Sequence, residues 1–394
     1  MKKKRVVFVI NSLTIGGIQT ALINLLKKID YNKFDVYLLA FFCDESFKQY
    51  IPDKVCIVKV PRILEIINTP SNYIGDKISI RFLLRKVLAL LCRVFGANNV
   101  YSFLYLFNNV KMHEFDVAIS YSNNGSKKSV YFGCNKFVIE KIKATKKIAW
   151  LHADYKMMKM NNEINHKEYS CFDKIICVSK DTKKKFIECC PDLKDKTDII
   201  YNVVDIETIV YKALAECPDI CVSDKFVIST VCRLDSNKNV QECIEIATVL
   251  NKLKFDYRWI IVGDGPEMSK LKEMAKKKNV ASNILFVGYR DNPFPYIKNS
   301  DLFVSCSKSE SFGLSIYESL ILGVQVIVRK YDAVNEVVRD ANDGVIIDGD
   351  MNDFASAIIN VANRKRCTTN DSYAMAAEQT NMISMMKFED ILNE

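Results

Sequence analysis

The chain has 394 residues, 49% hydrophobic and 26% charged, which are globular proportions in a length too great for one core, so two or three domains are expected. No uncharged apolar stretch reaches 18 residues, which excludes a membrane-spanning helix. Residues 1–205 carry 34 Lys and Arg against 20 Asp and Glu, and the remainder 22 against 27, so an anionic partner is expected for the first half only.

Nucleic acid is set aside as that partner, because no basic-aromatic motif stands out. An anionic membrane surface or a diphosphate-bearing lipid fits better, and ordinary solvated lysines are the plain alternative. The 14 cysteines are scattered without C-x-x-C pairs and read as reduced thiols of a cytoplasmic protein. His113, His152 and His166 lack metal-ligand spacing, so no metal site is expected.

In chain order, Arg5 to Ile10 reads as a first strand, and its five-residue apolar run is too short for a signal peptide. Gly16-Gly17 follows, where the absence of side chains lets backbone approach a ligand closely, and Gln19 to Ile29 is an amphipathic helix. Strands near 35–40 and 56–60 continue a βαβ alternation and imply a parallel sheet. Residues 78–107 are crowded with apolar side chains and carry Arg81, Arg85, Lys86 and Arg93. Such helices either pack on the first sheet or lie in a membrane interface, and the two are compatible. Strands follow at 115–120 and 146–151, the second ending at His152-Ala153-Asp154. A histidine at a strand's carboxyl end sits at the ligand edge, where a neutral imidazole can contact a sugar hydroxyl or phosphate. Asp154 is a lesser candidate for acceptor contact, and His166 lies in a polar, surface-like stretch. A strand at 174–178 precedes a helix start at Ser179-Lys180, and a linker is expected over 203–224.

The second half opens with a strand at 226–231 that delivers Arg233 and Lys238 into the loop before a helix at 240–250. Two cations beside an anion site can neutralise a diphosphate and stabilise its departure. A strand at 259–262 leads to the turn Gly263-Asp264-Gly265-Pro266, and one at 284–287 to the loop Gly288-Tyr289-Arg290. Leu302 to Val304 is a buried strand, followed by a polar loop with Glu310, then Phe312-Gly313-Leu314 and a helix with Glu318, which Gly323 stops before a strand at 324–328. The amides of Phe312, Gly313 and Leu314 are orphan donors at a helix N-terminus, a natural place for phosphate. One anion-binding edge with a carboxylate on each side suits a sugar nucleotide. A strand at 344–347, a helix at 355–362 and an amphipathic tail at 382–392 complete the chain.

Glu310 and Glu318 with Phe312-Gly313 between them resemble the E-x7-E signature of retaining glycosyltransferases of family 4, which have the GT-B fold. Cys232-Arg233-Leu234 through Lys238-Asn239 is similar to that family's G-R-L-x-x-x-K-N phosphate motif, with Cys232 where glycine is usual. Gly263-Asp264-Gly265-Pro266 matches its G-x-G-P turn, read here as scaffold. Asn202-Val203-Val204-Asp205 resembles its N-x-V-D junction, Gly16-Gly17 its N-terminal glycine loop, and Trp150-x-His152 its strand-end histidine. The resemblance implies an α/β fold of two doubly wound Rossmann-like domains facing across a cleft. An acceptor-side domain would span 1–205, joined by a crossover helix at about 380–394 that here lacks the usual tryptophan. A donor-binding domain would span 206–379. It further implies that Arg233, Lys238 and the amides at 312–314 hold the diphosphate, and that Gly16 and Gly17 face it. Glu318 would accept from the ribose, 288–290 would contact the base, and Glu310 would position the donor sugar near His152.

The activity so implied is hexosyl transfer, with retention, from a UDP or GDP sugar to a lipid-linked or polysaccharide hydroxyl. No cofactor or metal is expected, since cationic side chains do the metal's work and no Asp-x-Asp pair sits in the site. The setting implied is the inner face of the cell membrane. A sugar-nucleotide 2-epimerase on the same fold would need acid/base carboxylates around the sugar and no acceptor. A non-catalytic assembly partner would show damaged phosphate and glutamate positions, whereas Arg233, Lys238, Glu310 and Glu318 are all present.

Overall fold

The computed structural model describes residues 2–14, 16–70, 73, 79–106, 114–126, 128, 133–217, 225–364 and 372–394. His113, both ends of the 78–107 stretch and linker positions 218–224 lie outside the described residues. The chain divides into two compact units, 1–204 with 382–394, and 205–381.

Unit 1 is built on β1 (Lys4–Leu13), β2 (Phe34–Cys43), β3 (Cys56–Ile57), β4 (Phe115–Ser120), β5 (Ala144–Leu151), β6 (Lys174–Cys177) and β7 (Thr197–Ile199). They form a parallel sheet in the order β3-β2-β1-β4-β5-β6-β7. The physical reason is visible in β1, where Val6 to Ile10 are wholly buried. Val7 and Val9 enter the core on one face and Val6, Phe8 and Ile10 the core on the other. A strand apolar on both sides needs helices on both faces, which βαβ crossovers provide. These helices are α1 (Gly17–Lys28), α2 (Arg62–Asn68), α3 (Ile80–Phe95), α4 (Ala97–Leu106), α5 (Cys134–Lys141), α6 (Glu163–Ser170) and α7 (Lys180–Cys189). Ser179 caps α7 by accepting from the Thr182 amide, 3.1 Å.

Unit 2 repeats the scheme with β8 (Phe226–Val231), β9 (Tyr257–Val262), β10 (Ile284–Gly288), β11 (Leu302–Ser305), β12 (Val326–Arg329) and β13 (Gly344–Ile347). The parallel order is β10-β9-β8-β11-β12-β13. Its helices are α8 (Ile206–Lys212), α9 (Val240–Lys252), α10 (Met268–Lys277), α11 (Phe294–Lys298), α12 (Leu314–Ile321), α13 (Met351–Ala362) and the first turns of α14 (Ser372–Asn393), which from Met382 onward belongs to unit 1. In each sheet the strand order reverses once, between β1 and β4 and between β8 and β11, and ligands of such sheets bind beyond the carboxyl ends at that point.

Three elements depart from the sequence expectation. The strand expected over 56–60 pairs only at Cys56–Ile57, because it is an edge and Pro61 starts α2 immediately after. The segment 62–68, not read as helix, is α2. The tail helix begins at Ser372 rather than Met382. Residues 372–381 are rich in Ala and polar side chains, good helix formers without a clear apolar period, and Tyr373 fixes them by donating to the Val337 carbonyl, 2.8 Å.

The last turns of α14 are tied to unit 1. Phe388 lies 6.2 Å from Phe8 and 5.8 Å from Trp150, ring centre to ring centre. Lys4 Nζ donates to the Leu392 carbonyl, 2.9 Å, Lys146 Nζ to that of Ile391, 2.7 Å, and Lys33 pairs with Glu389, 2.8 Å. The chain's two tryptophans, Trp150 and Trp259, fall one in each unit. Phe388→Ala removes a buried aromatic and is expected to destabilise unit 1 by about 3–5 kcal/mol. Denaturant unfolding followed by Trp150 fluorescence in a Trp259→Phe background measures it, and an unchanged midpoint would show that the tail is not anchored there.

Candidate active site

The loop after β8 lies on a glycine brace. The Cys232 amide donates to the Val262 carbonyl, 3.1 Å, and the Leu234 amide to that of Asp264, 3.0 Å. A Cβ on Gly263, whose φ is +136°, would sit 1.8 Å from the Cys232 carbonyl oxygen, and one on Gly265 would sit 2.3 Å from that of Leu234. The G-x-G-P turn is therefore scaffold for a reason of space. Asp235 Oδ1 then accepts from the amides of Asn237, 3.0 Å, and Lys238, 3.2 Å, an Asx turn that directs the Lys238 side chain.

Because β8 and β11 are sheet neighbours, the loop after β11 runs beside this one. The Lys308 amide donates to the Asn237 carbonyl, 2.9 Å, and Asn237 Nδ2 to the Ser309 carbonyl, 2.9 Å. Lys238 Nζ meets Glu310 Oε1 at 2.5 Å, with both side chains largely buried. Burial pulls the Lys238 pKa down, but the Glu310 carboxylate more than offsets it and the net shift is upward. Arg233 is 72% exposed and only approaches Asp235, at 3.8 Å, which leaves its guanidinium facing solvent.

Gly313 takes φ +79° as the residue before α12, a left-handed conformation that favours glycine. Phe312 turns inward onto Tyr317, ring centres 5.1 Å apart, so its ring is not offered to a ligand. Beneath Gly313 stands Tyr331, beyond the carboxyl end of β12. A Cβ on Gly313 would be 2.9 Å from its hydroxyl, and that buried oxygen has no hydrogen-bond partner among the described residues. Glu318, in the second turn of α12 and half-buried, has its pKa pushed up to about 8 by desolvation. At the end of β10, Gly288 adopts φ +76° with open space around it. Tyr289 donates to Asp291, 2.7 Å, and Arg290 Nε to the Tyr296 hydroxyl, 2.9 Å.

In unit 1, Gly16 precedes α1 and Gly17 begins it, while Gln19 Nε2 donates to the Ser12 carbonyl, 3.0 Å, closing the loop. His152 follows β5 and is only 7% exposed. Its amide donates to Asn123 Oδ1, 2.6 Å, and its ring lies 4.6 Å from that of Tyr121. Burial lowers its pKa to about 3, so the imidazole is neutral, and its Nε2 has no partner among the described residues. Asp154 is occupied otherwise. It accepts from the amides of Lys156, 3.0 Å, and Met157, 2.9 Å, and pairs with Lys185, 2.9 Å, which argues against acceptor contact. His166 pairs with Asp192 at 3.0 Å on the surface.

Sequence reasoning missed Tyr331, Asn237 and a buried network past the carboxyl end of β4. There Asn124 Nδ2 donates to Glu168 Oε2, 2.6 Å, and to Asn165 Oδ1, 3.0 Å. Burial raises the Glu168 pKa to about 7. The position of Tyr331 just past the strand neighbouring β11 was an available signal; the Asn124–Glu168 pairing, 44 residues apart, offered none. Among the described residues no three His, Cys, Asp or Glu side chains gather as metal ligands.

With this geometry in place, comparison with known proteins is informative. Residues 221–380 match the model of the family "Glycosyl transferases group 1". Over 342 residues the chain is 26% identical to the Campylobacter jejuni N-acetylgalactosamine-N,N'-diacetylbacillosaminyl-diphospho-undecaprenol 4-alpha-N-acetylgalactosaminyltransferase, covering 86% of this chain and 85% of that one. It is 30% identical over 203 residues to the Escherichia coli UDP-Gal:alpha-D-GlcNAc-diphosphoundecaprenol alpha-1,3-galactosyltransferase, spanning about half of each, 50% and 52%. Anabaena HepE, solved with UDP and glucose, superposes with a TM-score of 0.69 at 18% identity, over 99% of this chain and 100% of that one. The fold is GT-B.

Glu318 supplies a pH test. A carboxyl whose folded-state pKa of about 8 exceeds its ordinary 4.5 binds its proton more tightly when folded. Its contribution to stability is therefore full below pH 4.5 and is lost as pH rises through about 8. Unfolding of unit 2 followed by Trp259 should show this decline, and Glu318→Gln should flatten it; an identical pH profile in the variant would show that the carboxyl is not desolvated.

Proposed function

Since residues 221–380 are a group 1 glycosyltransferase domain and the chain is accordingly a glycosyltransferase, we propose that it moves a hexosyl group from a UDP sugar to a hydroxyl of a lipid-linked saccharide, with retention of configuration. The observation that carries the reading is the Lys238–Glu310 pair at the β8/β11 switch point. UDP is preferred over GDP because HepE was solved with UDP and the E. coli relative is named for a UDP sugar. The lipid-linked acceptor is supported by the undecaprenol-linked substrates named for two relatives.

The residues divide the work as follows. Lys238 has three N–H donors, enough to keep Glu310 and still donate to a phosphate oxygen, while Arg233 can swing from solvent onto the diphosphate. The amides at 312–314 add the positive end of α12. Glu318, once ionised, accepts from the ribose hydroxyls, and backbone at 288–290 meets the base. Glu310 orients the donor sugar. His152, neutral with a bare Nε2, accepts from a sugar hydroxyl, and Gly16 and Gly17 admit the substrate close to backbone. The acceptor oxygen bonds to the anomeric carbon on the face the diphosphate leaves. The bond from that carbon to the β-phosphate oxygen breaks, and the acceptor proton passes to the departing phosphate. The cations stabilise the charge on that phosphate, so no metal is invoked. Unit 1 recognises the acceptor, and the reaction takes place at the cytoplasmic face of the cell membrane.

A thermal-shift panel with UDP, GDP and their sugars tests the donor. At a hundredfold excess over Kd, UDP should add about 2.7 kcal/mol of stability, and Lys238→Ala should abolish the shift. In turnover Lys238→Ala should lower kcat by about 10²–10³-fold, as loss of a preorganised transition-state donor does. Activity should survive exhaustive EDTA; complete loss restored by Mn²⁺ would overturn the metal-free reading. If Glu318 must ionise to accept from ribose, UDP affinity should rise about tenfold per pH unit up to its pKa of about 8 and be flat in Glu318→Gln. A flat wild-type profile would remove Glu318 from the ribose site.

A further inference from the structure

Helix α3 has two apolar faces, and among the described residues only one of them is covered. Ser79 caps it by accepting from the Phe82 amide, 3.2 Å, and Gly96 ends it at φ +83°, so its sixteen residues form a complete element. Leu88 and Cys92 are buried in the unit 1 core, with Leu84 and Leu91 packed against it. On another side Ile80 is 85% exposed, Leu83 64%, Leu90 58% and Val94 65%, with Val87 also exposed. At about 100° per residue, Leu83, Val87, Leu90 and Val94 fall in an arc of roughly 60°. Lys86 and Arg93, both exposed, lie roughly 40–60° beyond the edge of that arc. Charge completes the pattern. From Lys77 to His113 the sequence holds six Lys and Arg and not one Asp or Glu.

We propose that α3 is the surface by which this protein docks on an anionic phospholipid bilayer. The apolar stripe lies in the interface plane, and Lys86 and Arg93 reach up to lipid phosphates. The inference deepens the proposed function, resting on its lipid-linked acceptor for its purpose, and names the face that meets the membrane. A stripe of this width, bordered by cations and free of acids, has the make-up of an interfacial helix. It is not a span, since no helix among the described residues is long and apolar enough to cross a membrane. A second copy of the chain is a poor occupant, because a two-fold contact would set the cations of α3 against their own copies.

The test is co-sedimentation of the full chain with phosphatidylcholine vesicles, with and without phosphatidylglycerol. Binding is expected to the anionic vesicles, weaker at raised salt. Leu83→Gln with Val87→Gln and Leu90→Gln should abolish it. Lys86→Gln with Arg93→Gln should lower partitioning roughly thirtyfold, for two surface cations removed. All these positions are on the solvent side of α3, so both variants should keep the wild-type thermal shift with UDP. That shift also separates the two readings. Its absence in the wild type would sink the donor assignment, while vesicle binding would still decide this one. Failure of the wild type to bind anionic vesicles, undiminished binding by the triple variant, or a lipid-free dimer that the triple variant dissociates would each overturn the proposal.

Discussion

The ion pair between Lys238 and Glu310 is the constraint on which the nucleotide end of unit 2 depends. It joins loops that leave adjacent strands, β8 and β11, at the one place where the sheet's order reverses. Neither charge is fully in water, so each needs the other: a lone ammonium or carboxylate at that depth would bear its desolvation cost unrelieved. The backbone bonds through Asn237 set the loops side by side, and the Asx turn at Asp235 aims the lysine. Gly263 and Gly265 permit this arrangement by leaving room for the Cys232 and Leu234 carbonyls.

Within each unit, burial shifts other ionisable groups toward their neutral forms. Glu318 is raised to about 8 and His152 lowered to about 3 by desolvation, and the Tyr331 phenol is pushed up. In unit 2 the Lys238–Glu310 pair is thus set beside a carboxyl and a phenol of raised pKa, and unit 1 holds an imidazole with an unpartnered nitrogen. Buried polar atoms without partners are uncommon in folded proteins and cluster where a ligand completes them. Tyr331 beneath Gly313 and His152 Nε2 are two such atoms, and both stand past the carboxyl ends of parallel strands, where ligands of this architecture belong.

Much of this was legible in the sequence because it is local. Short apolar runs bounded by polar or glycine residues mark buried strands, and the runs at 115–120, 226–231 and 344–347 match the observed strands end to end. Arg233, Lys238, Glu310 and Glu318 were singled out by the elements around them together with the motifs they resemble. Where periodicity was weak, reading failed: residues 372–381 are helical through propensity and the docking of Tyr373, and α2 forms after an edge strand that ends at Ile57. Tyr331 and the Asn124–Glu168 network were out of reach for another reason. Their significance lies in what surrounds them, and burial is not a property of a single residue.

The sequence by itself determined two parallel-sheet domains and the residue types at the switch point of the second, because strand patterning, glycine turns and the spacing of charges act over a few residues. Tertiary structure alone decided that Lys238 meets Glu310 across 72 positions, that Glu318 and His152 are desolvated, and that Asp154 is spent on Lys185. It also decided which face of α3 stays bare. Apolar and basic residues were evident along that helix, but four of its apolar positions turn toward the core and six toward solvent. Only the packing of neighbouring elements makes that division, since a helix presents all its sides until something covers one.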